Sequence, residues 1–319
     1  MKFFFSCDWG TSTFRLRLVD AKNGLVISEI KTDQGIAVTF ELWKQSGKNE
    51  NDRIAFYQRY ILDQVNKITA SLKEPADNVP IVLSGMASSS IGMLELPYKK
   101  LPFQCDGSDL IVRTIYGGEE QQYKIIIISG ARSEVDAMRG EETILVGSDI
   151  PNDEAEQFFI FPGTHSKHVL VKNGVVQSIA TYMTGELFDL LSNKSILSAS
   201  VKRNESQQNI ISQHFADGVI EGSSSNLLNS IFHVRTNHLF KKATAEENYH
   251  YLSGLLIGHE LRDIAENKTT AITLVSSEGL QKIYTEALGI LGLSDPLQYK
   301  NADDALINGQ RKIIQQHGY

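Results

Sequence analysis

With 38 acidic against 31 basic side chains, the 319-residue chain carries a net charge of -7, which argues against nucleic acid or an anionic membrane surface as its main partner. A composition of 41% apolar and 22% charged residues is that of a globular protein, and the length suits about two domains, each with its own core. Cys7 and Cys105 are too few for a disulfide framework, residues 3–5 are too short for a signal-peptide core, and no apolar run nears the roughly 20 residues that span a bilayer, so a soluble cytoplasmic protein is expected.

The chain opens on FFFSCDWGTSTFRLRLVD, residues 3–20. Phe14, Leu16 and Leu18 alternate with Arg15 and Arg17, the period of a half-buried strand, so the stretch reads as strand, tight polar loop, strand. Asp8, Gly10, Thr11, Ser12 and Thr13 fall at the tip. Gly10 would let the backbone approach a ligand, loop amides and hydroxyls offer donors to phosphate oxygens, and Asp8 could hold a hydrated Mg²⁺. An ordinary hairpin with turn-forming residues fits the same local sequence. Residues 25–32 read as a third antiparallel strand after the Asn23-Gly24 turn. Apolar residues at Ile54, Tyr57, Ile61, Val65, Ile68 and Leu72 predict an amphipathic helix over 52–73. Residues 80–83 follow as a buried strand ending in SGMASSS, which suits either a binding loop at a sheet edge or a surface connection.

Residues 110–116 and 123–129 read as two more strands, and SEVDAMRGEETIL at 133–145 as a helix with Ser133 and Asp136 in a capping-box pattern. At residue 157 the opening pattern returns. FFIFPGTHSKHVLVKNGVVQSI again gives an aromatic strand, a Gly-Thr loop, an apolar strand, an Asn-Gly turn and a third strand. A duplicated α/β domain follows, with two polar hairpin loops facing a cleft between the copies. The boundary is expected in the polar stretch 147–156, giving domains at 1–150 and 151–319. Downstream, a helix starts at Thr184, the stretch to 242 reads mostly helical, and 246–266 is a long helix in which Gly254 and Gly258 suit close helix packing. Residues 271–275 form a strand, Ser276, Ser277, Glu278 and Gly279 its terminal loop, and 280–291 and 303–316 two closing helices. Walker A, G-x-G-x-x-G and G-x-S-x-G patterns are absent, and His165 and His168 would face opposite sides of a strand, which argues against a zinc pair.

DWGTSTFR at Asp8, SGMASSSIG at Ser84, LPYKKLP at Leu96, DAMRGEET at Asp136, PGTHSKH at Pro162, MTGELF at Met183 and LSGLLIGHEL at Leu252 are individually weak. In this order and spacing the chain resembles the 2-dehydro-3-deoxygalactonokinase family, bacterial sugar-acid kinases in the superfamily of sugar kinases, actin and heat-shock chaperones. The resemblance implies an α/β fold of two ribonuclease-H-like (actin-like ATPase) domains with an interdomain cleft. It implies phosphorylation by ATP, with Mg²⁺, of the terminal (6-) hydroxyl of 2-dehydro-3-deoxy-D-galactonate in galactonate catabolism, a small sugar acid being the partner. Whether the protein forms a homodimer stays open.

The resemblance then gives each loop a place. Asp8 would organise the metal, while Gly10, Thr11, Ser12, Thr13, Gly163, Thr164, His165, Ser166 and Lys167 cradle the phosphates and Ser277, Glu278 and Gly279 take the nucleoside end. Arg15 and Lys167 are charge candidates, although either could be a strand residue paired with a neighbouring acid. Asp136, followed by Gly140-Glu141, stands where related kinases carry a catalytic aspartate at a helix start. Ser88, Ser89 and Ser90 would touch the sugar and Arg139 its carboxylate. Two departures stand out: Phe161 and Pro162 replace an aspartate common in the superfamily, and residues 276–279 are poorer in glycine than its usual adenosine loop. A kinase for another sugar acid, or a nucleotide-dependent assembly protein, are the competing expectations.

Overall fold

The aromatic run near the N-terminus forms β1 (Phe3–Trp9), paired antiparallel with β2 (Phe14–Asp20), which pairs with β3 (Val26–Thr32). This computed structural model describes residues 1–70, 72, 79–117, 123–150, 155–203, 212–265, 271–293 and 297–318. Helix α1 (Ile36–Gln45) and helix α2 (Arg53–Thr69) follow, then β4 (Ile81–Gly85), β5 (Lys99–Lys100), β6 (Phe103–Gln104), β7 (Val112–Gly117), β8 (Tyr123–Ile128), β9 (Ala131–Arg132), β10 (Ala137–Met138) and α3 (Glu141–Gly147). The second half runs β11 (Gln157–Phe161), β12 (Ser166–Lys172), β13 (Val175–Tyr182), α4 (Thr184–Lys194), α5 (Gln213–Ser224), α6 (Leu227–Leu239), α7 (Ala245–Ala265), β14 (Ala271–Ser276), α8 (Glu278–Ile290) and β15 (Leu297–Asn301), and α9 (Ala302–Gln316) closes the chain.

One sheet has the order β3-β2-β1-β4-β8-β7 and the other contains β15-β14-β11-β12-β13. In each, three consecutive antiparallel strands are extended beside the first by two parallel strands, β4 and β8 or β14 and β15. That is the ribonuclease-H-like order, so the repeated hairpin pattern marks two copies of one α/β topology. The chain divides into unit 1, Met1–Asp153, Gly174–Ile179 and Ala302–Tyr319, and unit 2, Glu154–Asn173 and Ala180–Asn301. The sequence placed the closing helix with the second half; α9 instead packs in unit 1, where Gln310 Nε2 donates to the Cys7 carbonyl at 3.1 Å and to Ser84 Oγ at 2.8 Å. Chain order alone carries no sign of that return.

The core of unit 1 is built on the predicted faces. Tyr57, Ile61, Val65 and Ile68 of α2 are buried against Trp9, Phe14 and Leu16 from the first hairpin. Trp9 and Phe14 meet edge to face, with ring centroids 5.0 Å apart. The end expected for this helix, at residue 73, lies outside the described residues. Helix α1 was missed by the sequence reading, because its apolar residues Ile36, Ala37, Val38 and Phe40 show no clean helical stripe; Ile36, Thr39 and Trp43 are its buried residues.

In unit 2, α5 and α7 cross at backbone contact. A Cβ on Gly254 would stand 2.1 Å from the Phe215 carbonyl oxygen and one on Gly258 2.2 Å from that of Val219, while Gly218 and Gly222 leave the matching space on α5. The close packing expected of the glycine pair is therefore present, and it sets how α7 is presented to the sheet.

The largest correction concerns residues 133–145. No helix begins at Ser133: β9 and β10 form a short ribbon, and α3 starts only at Glu141, after Gly140 at φ 112°. The side-chain bond of a capping box does form, Ser133 Oγ accepting the Asp136 N–H at 2.9 Å, but the Ser133 N–H donates to the Asp136 carbonyl at 2.8 Å and closes a turn. Asp136 is thus a half-buried turn residue and receives no support from a helix start. Capping falls to the next two acids: Glu141 accepts the Arg139 N–H and Glu142 the Gly140 N–H, at 2.9 and 2.8 Å. Glu142 is fully buried, and burial, with the Glu141 charge second, pushes its carboxyl up to about 8 against the hydrogen bonds from the backbone and Thr143.

Two expectations follow. Ala at Gly258 must displace backbone, so it should destabilise the protein by about 1–3 kcal/mol, whereas Ala at Gly289, exposed on α8 with open space around it, should stabilise by about 0.5–1 kcal/mol; thermal melts giving the same sign for both would contradict the packing account. For Glu142, the raised carboxyl keeps its proton in the fold while the unfolded chain releases it near the ordinary value, so stability falls as pH rises from about 4.5 through about 8. Glu142→Gln should therefore gain on the wild type progressively across that window in urea melts, and parallel pH profiles would refute the assignment.

Candidate active site

Each unit carries a polar hairpin turn seated on the start of a helix. In unit 1, Gly10 N–H donates to the Thr13 carbonyl at 2.9 Å and closes the turn between β1 and β2. The first amides of α1 then hold it from below: Ile36 N–H donates to the Gly10 carbonyl at 2.9 Å and Ala37 N–H to that of Thr11 at 3.1 Å. Gly35 makes this possible, since a Cβ there would lie 2.3 Å from the Thr11 carbonyl oxygen. In unit 2 the Glu186 N–H of α4 donates to the Thr164 carbonyl at 3.0 Å, and a Cβ on Gly185 would lie 2.6 Å from the Gly163 carbonyl oxygen. The sequence showed both turns but neither seat.

Asp8 ends β1, opposite Arg15 on β2 and Ser84 on β4. Gly85, at φ 82°, runs so close behind it that a Cβ would lie 3.0 Å from the Trp9 carbonyl oxygen and 3.5 Å from Asp8 Oδ1. Desolvation raises the Asp8 carboxyl above its ordinary value; Arg15 and Arg17 pull the other way, and Asp303 and Glu141 add to the rise. Arg15 is not turned to the loop as a lone charge: its Nη1 meets Asp303 Oδ1 at 2.5 Å, in the first turn of α9, and Arg17 shares the same oxygen at 3.0 Å. Of the two readings left open for Arg15, the geometry shows the strand residue paired with an acid. Among the described residues no group of three or more His, Cys, Asp or Glu is disposed to hold a metal ion. A single carboxylate with neighbouring negative charge fits Mg²⁺, which keeps most of its waters and is commonly held by one or two carboxylates together with substrate phosphates.

Also in unit 1, the hydroxyl-rich loop after β4 meets the β10–α3 connection. Arg139 Nη1 donates to the Ser88 carbonyl at 2.5 Å and to Ser88 Oγ at 2.6 Å, and its guanidinium lies 4.1 Å from the Tyr98 ring centroid. Arg139 is therefore no exposed helical arginine. Ser88 and Ser89 are buried, with Ser89 Oγ donating to the Met86 carbonyl at 2.8 Å, while Ser90 is exposed. Asp136 lies three residues before Arg139, in the β9–β10 turn on the other side of the two-residue strand β10. Tyr98 was missed, although LPYKKLP had been singled out as a pattern.

Unit 2 holds a cavity of about 1060 Å³ lined by Gly163, by Thr184 and Gly185 at the start of α4, and by Ser277, Glu278 and Gly279 at the start of α8. Its apolar walls are Phe188, Phe215, Tyr249, Leu256, Ile257 and Ile283, with Arg203 and His250 among the polar lining. Gly163 of the second turn and the stretch 277–279, distant in sequence, line one cavity, although the terminal loop expected at 276–279 is instead the end of β14 and the first turn of α8. Gly163 and Gly279 face open space. Thr164 and His165 are exposed at the turn, His165 Nε2 meeting Glu186 Oε2 at 2.5 Å, whereas Ser166 and Lys167 are buried and Lys167 Nζ donates to the His165 carbonyl at 2.9 Å. His168 turns to Glu260 instead, so the two histidines engage different carboxylates. The sequence reading marked Thr184 only as a helix start and had no signal for Arg203, which lies outside any helix, or for His250 and the aromatic walls, which sit on helices whose residues read as core or surface. Burial, and His214 after it, lowers the His250 imidazole.

Comparison with known proteins agrees with this geometry. Residues 8–313 match the family model described as 2-keto-3-deoxy-galactonokinase. The Escherichia coli (strain K12) 2-dehydro-3-deoxygalactonokinase is 31% identical over 235 residues, 71% of this chain and 75% of that protein. A Rhizobium meliloti (strain 1021) protein, provisionally assigned the same activity, is 30% identical over 96% of this chain and 95% of its own. A solved Sinorhizobium meliloti structure with the same provisional assignment superposes with a TM-score of 0.80 at 28% identity, covering 98% of this chain and 96% of that one. With the family model spanning nearly the whole chain and the two-unit topology matching a solved relative, the protein belongs to the 2-keto-3-deoxy-galactonokinase family of sugar-acid kinases.

Proposed function

We propose that the protein transfers the terminal phosphoryl group of ATP to the 6-hydroxyl of 2-dehydro-3-deoxy-D-galactonate, as a step of galactonate breakdown. The observation that carries this reading, beside family membership, is the unit 2 cavity that joins Gly163 to Ser277, Glu278 and Gly279. Its size suits a nucleotide, its walls are largely apolar, and it opens at two helix starts, where backbone amides favour an anion. The acceptor belongs on unit 1, where Arg139 and Ser88 form a half-buried polar pair against Tyr98. Nη1 of Arg139 is committed to Ser88, while Nε is buried with no hydrogen-bond partner among the described residues, and the guanidinium is the donor assigned to the sugar-acid carboxylate.

Phosphoryl transfer asks the protein for alignment, charge neutralisation and a proton acceptor. Asp8 would hold Mg²⁺ through water; bound, the ion would neutralise charge on the phosphates. Turn amides and hydroxyls of Thr11, Ser12 and Thr13, and of Thr164 and His165, serve the phosphate end; Gly10 and Gly163 let the backbone approach it, and Ser166 and Lys167 lie buried behind the second turn. Asp136 accepts the proton of the attacking hydroxyl. Its role as base rests on the resemblance and on its half-buried place in the β9–β10 turn, since the helix start that the resemblance implied is absent.

Coupled ADP-release measurements with 2-dehydro-3-deoxygalactonate should show turnover that needs ATP and Mg²⁺ and that falls about 10²–10⁴-fold in Asp136→Asn. Wild-type turnover no higher than that of the variant would reject the mechanism, and a faster rate on another sugar acid in the same assay would reassign the acceptor. Gly185→Ala, which must push the second turn off its seat, should raise KM for ATP about tenfold or more with little change in KM for the sugar acid; equal effects on both would count against assigning the cavity to the nucleotide.

A further inference from the structure

Beneath the unit 2 cavity lies a buried polar chain that the mechanism above does not use. Gly163 N–H donates to Ser166 Oγ at 3.4 Å, Ser166 Oγ lies 3.0 Å from Tyr284 Oη, and Tyr284 O–H donates to Glu260 Oε2 at 2.7 Å. Thr184 Oγ1 donates to the same carboxylate oxygen, and His168 Nε2 lies 2.9 Å from Glu260 Oε1. Exposure is 2% for both Glu260 and Tyr284, 0% for Ser166, 3% for His168 and 9% for Thr184. A carboxylate only accepts, so Tyr284 and Thr184 must point their protons at Glu260. Tyr284 then has only lone pairs left for Ser166, which in turn has only lone pairs left for Gly163. The direction of every bond in the chain is fixed from its acid end.

We infer that Glu260 is a positioning residue for the nucleotide, and the inference rests on the reading of this cavity as the ATP site. Gly163, Thr184 and Tyr284 are all cavity walls, and they come from three separate elements: the β11–β12 turn, α4 and α8. Glu260, on α7, accepts from Thr184 and Tyr284 directly and is linked to Gly163 through Tyr284 and Ser166. Burying a carboxylate is unfavourable unless its acceptors are filled, and here hydroxyls and an imidazole fill them. The arrangement holds the second turn in a single shape with Thr164 and His165 outward, so binding need not order it.

The test is ADP binding in Mg²⁺ by calorimetry, beside KM for the sugar acid, on Tyr284→Phe, Ser166→Ala and Glu260→Gln. Each should weaken ADP about tenfold or more, Glu260→Gln the most, while KM for the sugar acid stays within about twofold. Folded variants that bind ADP within about twofold of the wild type, or that lose both substrates equally, would overturn the inference, because a merely structural group would lower the melting temperature without this split. Should Glu260→Gln fail to fold, the milder Tyr284→Phe and Ser166→Ala decide. Wild-type protein that bound no ADP would overturn the cavity assignment and this inference together, whereas normal wild-type binding with unaffected variants would overturn the inference alone.

Discussion

The structure depends on a steric constraint met twice: a glycine at a helix start, with no room for a Cβ, on which a polar hairpin turn rests. Gly35 under Thr11 and Gly185 under Gly163 play the same part in the two copies of the fold. The consequence is electrostatic as well as steric. Free amides at a helix start are a ready anion site, yet at α1 two of them, and at α4 one, are spent on turn carbonyls. Amides and hydroxyls of the turns themselves must then supply what the spent amides cannot to a phosphate group. That explains why both turns are crowded with Thr and Ser and why their shape has to be fixed from below.

How far this was legible in the chain follows from the range of each interaction. The hairpins were readable because strand alternation and Asn-Gly turns are local signals: Phe14, Leu16 and Leu18 are buried as their spacing demands, and the second hairpin repeats the first. The glycine pair on α7 was readable for the same reason, since four-residue spacing places both on one helix face. The seats were not, because Gly35 and Gly185 have meaning only against residues 21 or more positions away. Nor was the return of α9 to unit 1, where Gln310 bridges Cys7 and Ser84 from 303 and 226 residues downstream.

The misreading at Asp136 is instructive because the local chemistry was right and the conclusion was not. Ser133 does accept the amide three residues on, as a helix cap would, but the backbone bond returning from Ser133 N–H to the Asp136 carbonyl completes a turn. Gly140, at a φ that side chains rarely adopt, then defers the helix to Glu141. The outcome leaves Asp136 in the β9–β10 turn and Arg139 just after β10, both outside any helix, and irregular backbone is where reacting groups can be aimed independently of a helix repeat.

Glu142 and Glu260 show why the buried acids escaped notice. In sequence, a glutamate among helix formers reads as a solvated face, and nothing local distinguishes either from Glu141 or Glu266. Their environments then separate them. Glu142 has donors in Gly140, Thr143 and its own backbone amide, all from one stretch of chain, and burial still dominates, so its carboxyl rises. Glu260 has three, from Tyr284, Thr184 and His168, each on a different element. Deleting such an acceptor strands every donor aimed at it, which is costlier than the bonds are worth individually. An acceptor shared among elements therefore fixes their mutual register more firmly than apolar contact of similar area, because apolar surfaces tolerate sliding and a convergent set of protons does not.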